Sequence, residues 1–305
     1  MKKIYHLCLS GGEEIIFRDL EDYHRGFNCF AVALHKSEST GLVESFMSTH
    51  THLMIQSGFP KDLMFYFRHS YAKYFNDKYQ REGKLGERKY FTLEVVGYNH
   101  ILAAMSYVLR NPLHHGVAPI PYAYHHSSAN AIFREAMGKH SEENLLPQKS
   151  FYKYLGSSAV YPDRYKMHSS GVFVRDSVLD IPQVEALYGT PRAFNYFMTR
   201  KSSEEWEREQ HNDKLNAPPL KLETIEQGVR MHTVDTMLKF ENGKADYRLM
   251  TDIELCTLID KIARERYGKN SVYQLTVREQ NLLANEIYAK YKISPIRIRR
   301  CLVIK

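Results

Sequence analysis

The spacing of apolar and polar residues changes several times along the N-terminal part of the chain, and each change predicts an element. Residues 4–9 (IYHLCL) are a short apolar run closed by Gly11 and Gly12, which predicts a strand. Residues 19–36 carry Phe27, Phe30, Ala31 and Leu34 at close to helical spacing and predict a helix. Extended segments follow over 41–47 and then through the stretch SFMSTHTHLMIQ as far as Ser57, where Leu53 and Ile55 alternate with Met54 and Gln56 and Thr51 is β-branched. In a strand, positions i and i+2 share a face, so His50 and His52 point one way while Thr51, Leu53 and Ile55 point into a core. Pro60 suits the first position of a second helix, running to residue 79. After a polar turn at 80–86, KYFTLEVV (89–96) reads as a strand, and a further helix is expected over 99–111.

This order, β-α-β-β-α-β, predicts an α+β fold: a ferredoxin-like antiparallel sheet with helices on one face. Beyond Pro112 the stretch PLHHGVAPIPYAYHHSS reads as irregular loop, and irregular and helical pieces continue to about residue 208. A charged, proline-broken linker is expected over 202–219. Thr251 with Glu254, and Thr276 with Glu279, then have capping-box spacing, and Ser294 before Pro295 supplies a third helix start. Helices at 252–267, 277–291 and 295–303 have the size of a helix-turn-helix module, and the stretch PIRIRRCLVIK, which spans the last of them and the residues after it, carries Arg297, Arg299, Arg300 and Lys305. The chain thus divides into residues 1–118, a connecting region 119–216, and a helical region 217–305 with no internal repeat.

Composition narrows the class. At 305 residues and 43% hydrophobic, with 11 prolines, the chain is globular and long enough for two or three domains. Lys and Arg total 42 against 35 Asp and Glu, a positive balance compatible with a nucleic-acid partner but not requiring one. Cys8, Cys29, Cys256 and Cys301 lie too far apart for a metal finger and are expected as reduced, buried thiols. The N-terminus lacks the apolar run of a signal peptide and no later run reaches membrane-span length, so a soluble intracellular protein with no membrane partner is expected.

The His50/His52 face suits one divalent cation held by two neutral imidazoles, although an isolated H-x-H is more often two ordinary strand histidines. The helix expected at 99–111 adds Tyr107 and, one turn on, Asn111, with small Ala103 and Ala104 leaving room beside the ring. Separately, Tyr107 is one of 22 tyrosines and Asn111 before Pro112 simply ends a helix.

Together the motifs resemble the single-tyrosine HUH transposases, most closely the REP-associated tyrosine transposases. The M-p-N-H-v-H-l signature is matched by Met47-Ser48-Thr49-His50-Thr51-His52-Leu53, and Y-I-h-x-N-P-v-r-a-G-l by Tyr107 through Val117. Between them, residues 70–91 (SYAKYFNDKYQREGKLGERKYF) match the aromatic and basic run. The resemblance covers residues 1 to about 118, with Thr51 in place of a bulky apolar residue and Thr49 in place of asparagine. It implies Tyr107 as nucleophile and His50, His52 and Asn111 as ligands of Mg²⁺ or Mn²⁺. The implied activity is metal-dependent cleavage and rejoining of single-stranded or hairpin DNA through a 5′-phosphotyrosine and a free 3′-OH, in a nucleoid-associated prokaryotic protein that can be a homodimer. The chemistry is coherent: a cation neutralises the anionic phosphodiester, and the covalent bond conserves its energy so that rejoining needs no ATP.

For DNA contact the expected residues are Arg81, Lys84, Arg88 and Lys89 before the fourth strand, and Arg297, Arg299 and Arg300 in the last helix. Tyr71, Tyr74, Phe75 and Tyr79 are candidates to stack bases, although Phe67, Tyr71 and Tyr74 read better as a buried stripe. His100, two turns before Tyr107, reads as a core or surface histidine, and His114, His115, His125 and His126 as solvated loop histidines. Two alternatives stay open: a domesticated structured-DNA-binding protein, and a helix-turn-helix regulator resting on the C-terminal helices alone.

Overall fold

The computed structural model describes residues 2–138, 144–156, 159–200, 203–215, 218–226 and 250–304. The N-terminal part runs β1 (Lys3–Ser10), α1 (Leu20–Lys36), β2 (Thr40–Phe46), β3 (His50–Ser57), α2 (Pro60–Tyr79), β4 (Phe91–Glu94) and α3 (Tyr98–His114). The strands form one antiparallel sheet in the order β2-β3-β1-β4, so the fold is α+β. The register pairs Cys8 with His52 and Ser10 with His50, which sets these four on one face together with His6. Leu7, Leu9, Thr51, Leu53 and Phe46 occupy the other face, which α1 and α2 cover with Phe27, Phe30 and Phe67.

Helix α1 starts where Asp19 accepts from the Asp22 N–H, and its acidic first turn and basic last turn complement the helix dipole. Two boundaries differ from the sequence expectation. Strand β4 is four residues long and pairs with β1 alone, and just before it Arg68 donates to the Glu87 and Arg88 carbonyls. Helix α3 does not stop at Asn111 but carries on through Pro112. A proline near the end of a helix forfeits one bond without breaking it, and here the His115 N–H still closes on the Asn111 carbonyl at 3.1 Å.

The middle of the chain contributes α4 (Tyr152–Leu155), α5 (Arg175–Val178), α6 (Ile181–Tyr188), α7 (Pro191–Thr199), α8 (Ser203–His211) and α9 (Leu222–Ile225). Its side chains enter the same core as the sheet: Phe173, Leu179 and Phe194 pack with residues of β2 and α1, and Arg175 bonds the fully buried Glu44 of β2 at 2.6 Å. The segment read as a linker is therefore partly helical: α8 lies against α3, anchored by Trp206 and by Gln210, whose amide bonds both the N–H and the carbonyl of Leu220. Residues 201, 202, 216 and 217 of that expected linker lie outside the described residues.

The C-terminal helices α10 (Asp252–Tyr267), α11 (Val277–Tyr291) and α12 (Pro295–Cys301) fall where the capping signals place them, and both capping boxes form. They enclose their own apolar cluster, into which Ile15 of the β1–α1 loop inserts. The module is docked by polar bonds as well. Arg18 reaches both Asp260 carboxylate oxygens and the Cys301 carbonyl, and Ser48 donates to Asp252 at 3.0 Å. Lys305 lies outside the described residues. No described helix is long and apolar enough to cross a membrane.

Candidate active site

Strand β3 presents His50 and His52, and α3 crosses that face with Tyr107 and Asn111 on the stripe towards the sheet. His50 Nε2 lies 3.1 Å from Asn111 Oδ1, and its Nδ1 lies 3.0 Å from the Thr49 hydroxyl. Because an amide oxygen only accepts, Nε2 carries the proton here and Thr49 donates to Nδ1. Asn111 Nδ2 donates to the Tyr107 hydroxyl at 3.3 Å and to His115 Nε2 at 3.2 Å, and the Tyr107 hydroxyl donates to Glu226 Oε1 at 2.9 Å. A chain of bonds therefore runs Thr49, His50, Asn111, Tyr107, Glu226. His52 stands beside it with its ring edge-on to Tyr107, its Nδ1 2.9 Å from His6 Nε2, and its Nε2 without a partner.

His50, His52 and Asn111 are fully buried and Tyr107 is nearly so. Burial disfavours charge, so it lowers the pKa of His50 to about 4 and of His6 to about 3, and lowers His52 further with help from the surrounding imidazoles. All three are neutral near pH 7, the form in which imidazole binds metal. Burial first, and the Glu226 carboxylate second, push the Tyr107 phenol far above its ordinary value. Burial likewise raises Glu226, although the bond from Tyr107 opposes it.

Among the described residues no group of three or more His, Cys, Asp or Glu is arranged to hold a metal ion. The donor set implied by the sequence is of another kind, two imidazoles and an amide oxygen, and it fits a divalent cation that accepts nitrogen ligands, Mn²⁺ and softer ions more readily than Mg²⁺. Two ligands at about 2.1 Å from one ion and at right angles lie roughly 3 Å apart, close to the 3.1 Å between His50 Nε2 and Asn111 Oδ1. His52 Nε2 is a buried donor atom with nothing to bond. If His50 gives up its Nε2 proton, Thr49 can accept from Nδ1, and His6 can accept from His52 Nδ1; both are the orienting partners that ligating histidines require.

Helix α3 is fixed at its start by Asp213, which accepts from the backbone N–H groups of Asn99 and His100 and from both of their side chains, at 2.7–3.0 Å. His100 is thus buried in a helix cap and does not reach the site. Burial alone would raise the Asp213 pKa; the donors overcome it and hold the carboxyl down at about 2. A depressed carboxyl stabilises the fold above its ordinary value of 3.8, and that contribution disappears as pH falls through about 2. The melting temperature is therefore expected to fall between pH 4 and pH 2, and Asp213→Asn should flatten that stretch of the profile in a thermal melt followed by circular dichroism.

The basic residues divide into two groups. Arg81 is committed to both Glu14 oxygens and to Asn76, and buried Arg297 to Asp252 and the Met250 carbonyl, so these two brace the fold. Lys84 is exposed in the 80–89 loop. Arg88 and Lys89 meet Arg299 and Arg300 across one cleft of about 860 Å³, whose rim also carries Glu13, Glu14 and Glu87. Its floor is backbone: a Cβ on Gly11 would stand 2.3 Å from the Glu14 carbonyl, and Gly86, at φ +68°, would meet the Ser10 carbonyl at 2.6 Å. The cleft opens at the strand ends beside His50, whose pKa the Arg300 charge helps to lower.

Several expectations are corrected. His115 is buried against Asn111 and His114 stacks on Tyr107 at 5.5 Å, because α3 continues two residues past the proline, to His114. His126 stacks on Tyr23 at 3.9 Å and is half-buried, whereas His114 and His125 are exposed as expected. Phe75 and Tyr79 are buried along with Phe67 and Tyr71, so they cannot stack bases; Tyr74 is bound to Asp22 and Lys78. His6, Thr49 and Glu226 escaped sequence reasoning. His6 was findable from strand pairing, since it shares the parity of Cys8 and Ser10 on β1, whereas nothing local marks Glu226.

No family model and no curated protein match the chain. A solved structure does. It is that of a REP-associated tyrosine transposase bound to a REP hairpin, similar at a TM-score of 0.38 and 10% identity over 46% of this chain and 84% of that one. A likeness this slight decides nothing about activity, which has to be argued from the residues.

Proposed function

We propose that this chain is a metal-dependent DNA strand transferase of the single-tyrosine HUH kind, cleaving and rejoining hairpin-bearing single-stranded DNA through a 5′-phosphotyrosine. One observation carries the reading: the H-x-H face of β3 and the Tyr-x-x-x-Asn face of α3 meet in one bonded cluster, with His50 to Asn111 at 3.1 Å and Asn111 to Tyr107 at 3.3 Å. The sheet order β2-β3-β1-β4, with α1 and α2 on the face away from the histidines, supports the ferredoxin-like form of the fold. Residues 1–118 carry the nucleophile and the metal-binding groups on this reading, 119–216 buttress them, and 217–305 adds Glu226.

A divalent cation, Mg²⁺ or Mn²⁺, held by His50, His52 and Asn111 would neutralise a non-bridging phosphate oxygen and orient the phosphodiester. The remaining roles belong to the chain. Tyr107 Oη forms a bond to phosphorus as the bond to the 3′ oxygen breaks. An unperturbed phenol has a pKa near ~10, and this one is higher, so attack needs a proton acceptor. Glu226, bonded to the hydroxyl and itself shifted upwards, is placed to take that proton while the departing 3′ oxygen gains one. Because α3 brings Tyr107 to the histidines of its own chain, the reading requires no exchange of the tyrosine helix within a homodimer.

The runner-up, a structured-DNA-binding protein without strand transfer, is favoured by the closure of the site: Tyr107 is capped by Glu226 and the histidines are fully buried. Incubating the protein with labelled hairpin-bearing single-stranded DNA and Mg²⁺ or Mn²⁺, then running a denaturing gel, separates the two. The expected result is a covalent adduct that needs the metal and disappears in His52→Ala. Binding without an adduct in either metal would hand the assignment to the runner-up.

A further inference from the structure

Beside Tyr107 lies a second cavity, of about 260 Å³, lined by Tyr107, Arg110, His114, Trp206, Lys221 and Glu207 among others, with the Glu207 carboxylate 4.0 Å from the Lys221 ammonium. It exists because the small Ala103, one turn before Tyr107, leaves space that α8 roofs with Trp206. Its chemistry is set by Arg110. This side chain is 8% exposed, its Nε has no hydrogen-bond partner, and Nη1 reaches only the Phe197 carbonyl at a long 3.5 Å. Three other buried arginines are neutralised: Arg18 by Asp260, Arg200 by Glu209 and Arg297 by Asp252. Arg110 has no such carboxylate among the described residues, and burial together with the neighbouring Arg200 lowers its pKa. A desolvated guanidinium with an unpartnered Nε on a cavity wall is a site for an anion. Next to it stands the Trp206 indole, on which the Arg200 guanidinium stacks at 4.1 Å and whose centroid lies 5.6 Å from the Arg110 guanidinium, an aromatic surface on the cavity wall.

We infer that this cavity is a nucleotide subsite, in which Arg110 binds a phosphate of the strand next to the scissile phosphodiester and Trp206 stacks the neighbouring unpaired base. The word scissile rests on the strand-transfer reading; the binding does not. Arg110 lies one residue from Asn111 and three from Tyr107 on α3, so a strand held here leads to the nucleophile. The subsite also gives a role to α8, which lies outside the matched motifs.

Trp206 is the chain's one tryptophan, so its fluorescence reports on this cavity alone. The full-length protein is titrated with hairpin-bearing single-stranded DNA, with a blunt duplex and with inorganic phosphate, while affinity is followed by anisotropy of labelled DNA at several salt concentrations. The single-stranded DNA is expected to quench Trp206. Arg110→Gln should weaken binding about tenfold and reduce the slope of log K against log salt by about 0.7, the loss of one phosphate contact. Trp206→Phe, which keeps an aromatic ring over Arg200, should weaken binding less and leave that slope unchanged. A merely structural role for Arg110 would lower the melting temperature of Arg110→Gln without moving the slope, and would overturn the inference. So would a Trp206 response to phosphate that DNA does not exceed. If the adduct forms while Trp206 emission and the Arg110→Gln slope stay put, the subsite fails and strand transfer stands. Quenching with the reduced slope but no adduct retains the subsite and removes strand transfer.

Discussion

Tyr107→Phe should lower the rate of DNA cleavage by at least about 10⁴-fold while leaving the protein folded. The substitution removes one oxygen. The ring keeps its edge contact with His52 and its stacking with His114, so the core around α3 is not opened. What is lost in stability is two modest hydrogen bonds, from Asn111 and to half-buried Glu226, about 1 kcal/mol in total. What is lost in chemistry, on the strand-transfer reading, is the atom proposed to carry the 5′ phosphate. Single-turnover cleavage of labelled hairpin DNA, compared with a melting curve on the same preparation, measures both. A variant that melts normally yet retains more than about 1% of the cleavage rate would show that another group attacks.

Arg18→Ala should be the most damaging single change to stability, about 3–5 kcal/mol. Arg18 is fully buried where the β1–α1 loop meets the C-terminal helices, bonded to Asp260 at 3.1 and 3.2 Å and to the Cys301 carbonyl at 2.9 Å, with the Tyr79 and Tyr273 rings within 6 Å of its guanidinium. Truncation strands Asp260 with the Val272 N–H as its remaining bond and leaves a void between two tyrosines. Removing both charges costs less than removing one, so Arg18→Met with Asp260→Leu should recover much of the loss. Urea denaturation of the three proteins tests this. A single-variant loss below about 1 kcal/mol would mean that Arg18 does not hold the module.

The residues that the sequence made legible are those whose signal is local. A strand's period of two puts His50 and His52 on one face, a helix's four-residue step aligns Tyr107 with Asn111, and Thr251 and Thr276 announce their helices through side chains three residues ahead. What stayed hidden depends on partners far along the chain. Arg81 looked like a DNA-binding residue because its partner Glu14 lies 67 residues away, and Arg297 because Asp252 lies 45 away. His115 looked solvated because a proline normally marks the end of a helix, and Glu226 belongs to no local pattern. Conversely, Arg88, Lys89, Arg299 and Arg300, named separately in the sequence, are gathered into one cleft by the docking of α12.

The most direct test of the central claim is to digest the protein–DNA adduct, formed with Mn²⁺ on hairpin-bearing single-stranded DNA, and map it by mass spectrometry. The account predicts a nucleotide phosphate on the peptide that contains Tyr107, with fragmentation placing it on that side chain. An adduct on any other tyrosine, or none under conditions where the DNA is fully bound, would contradict it.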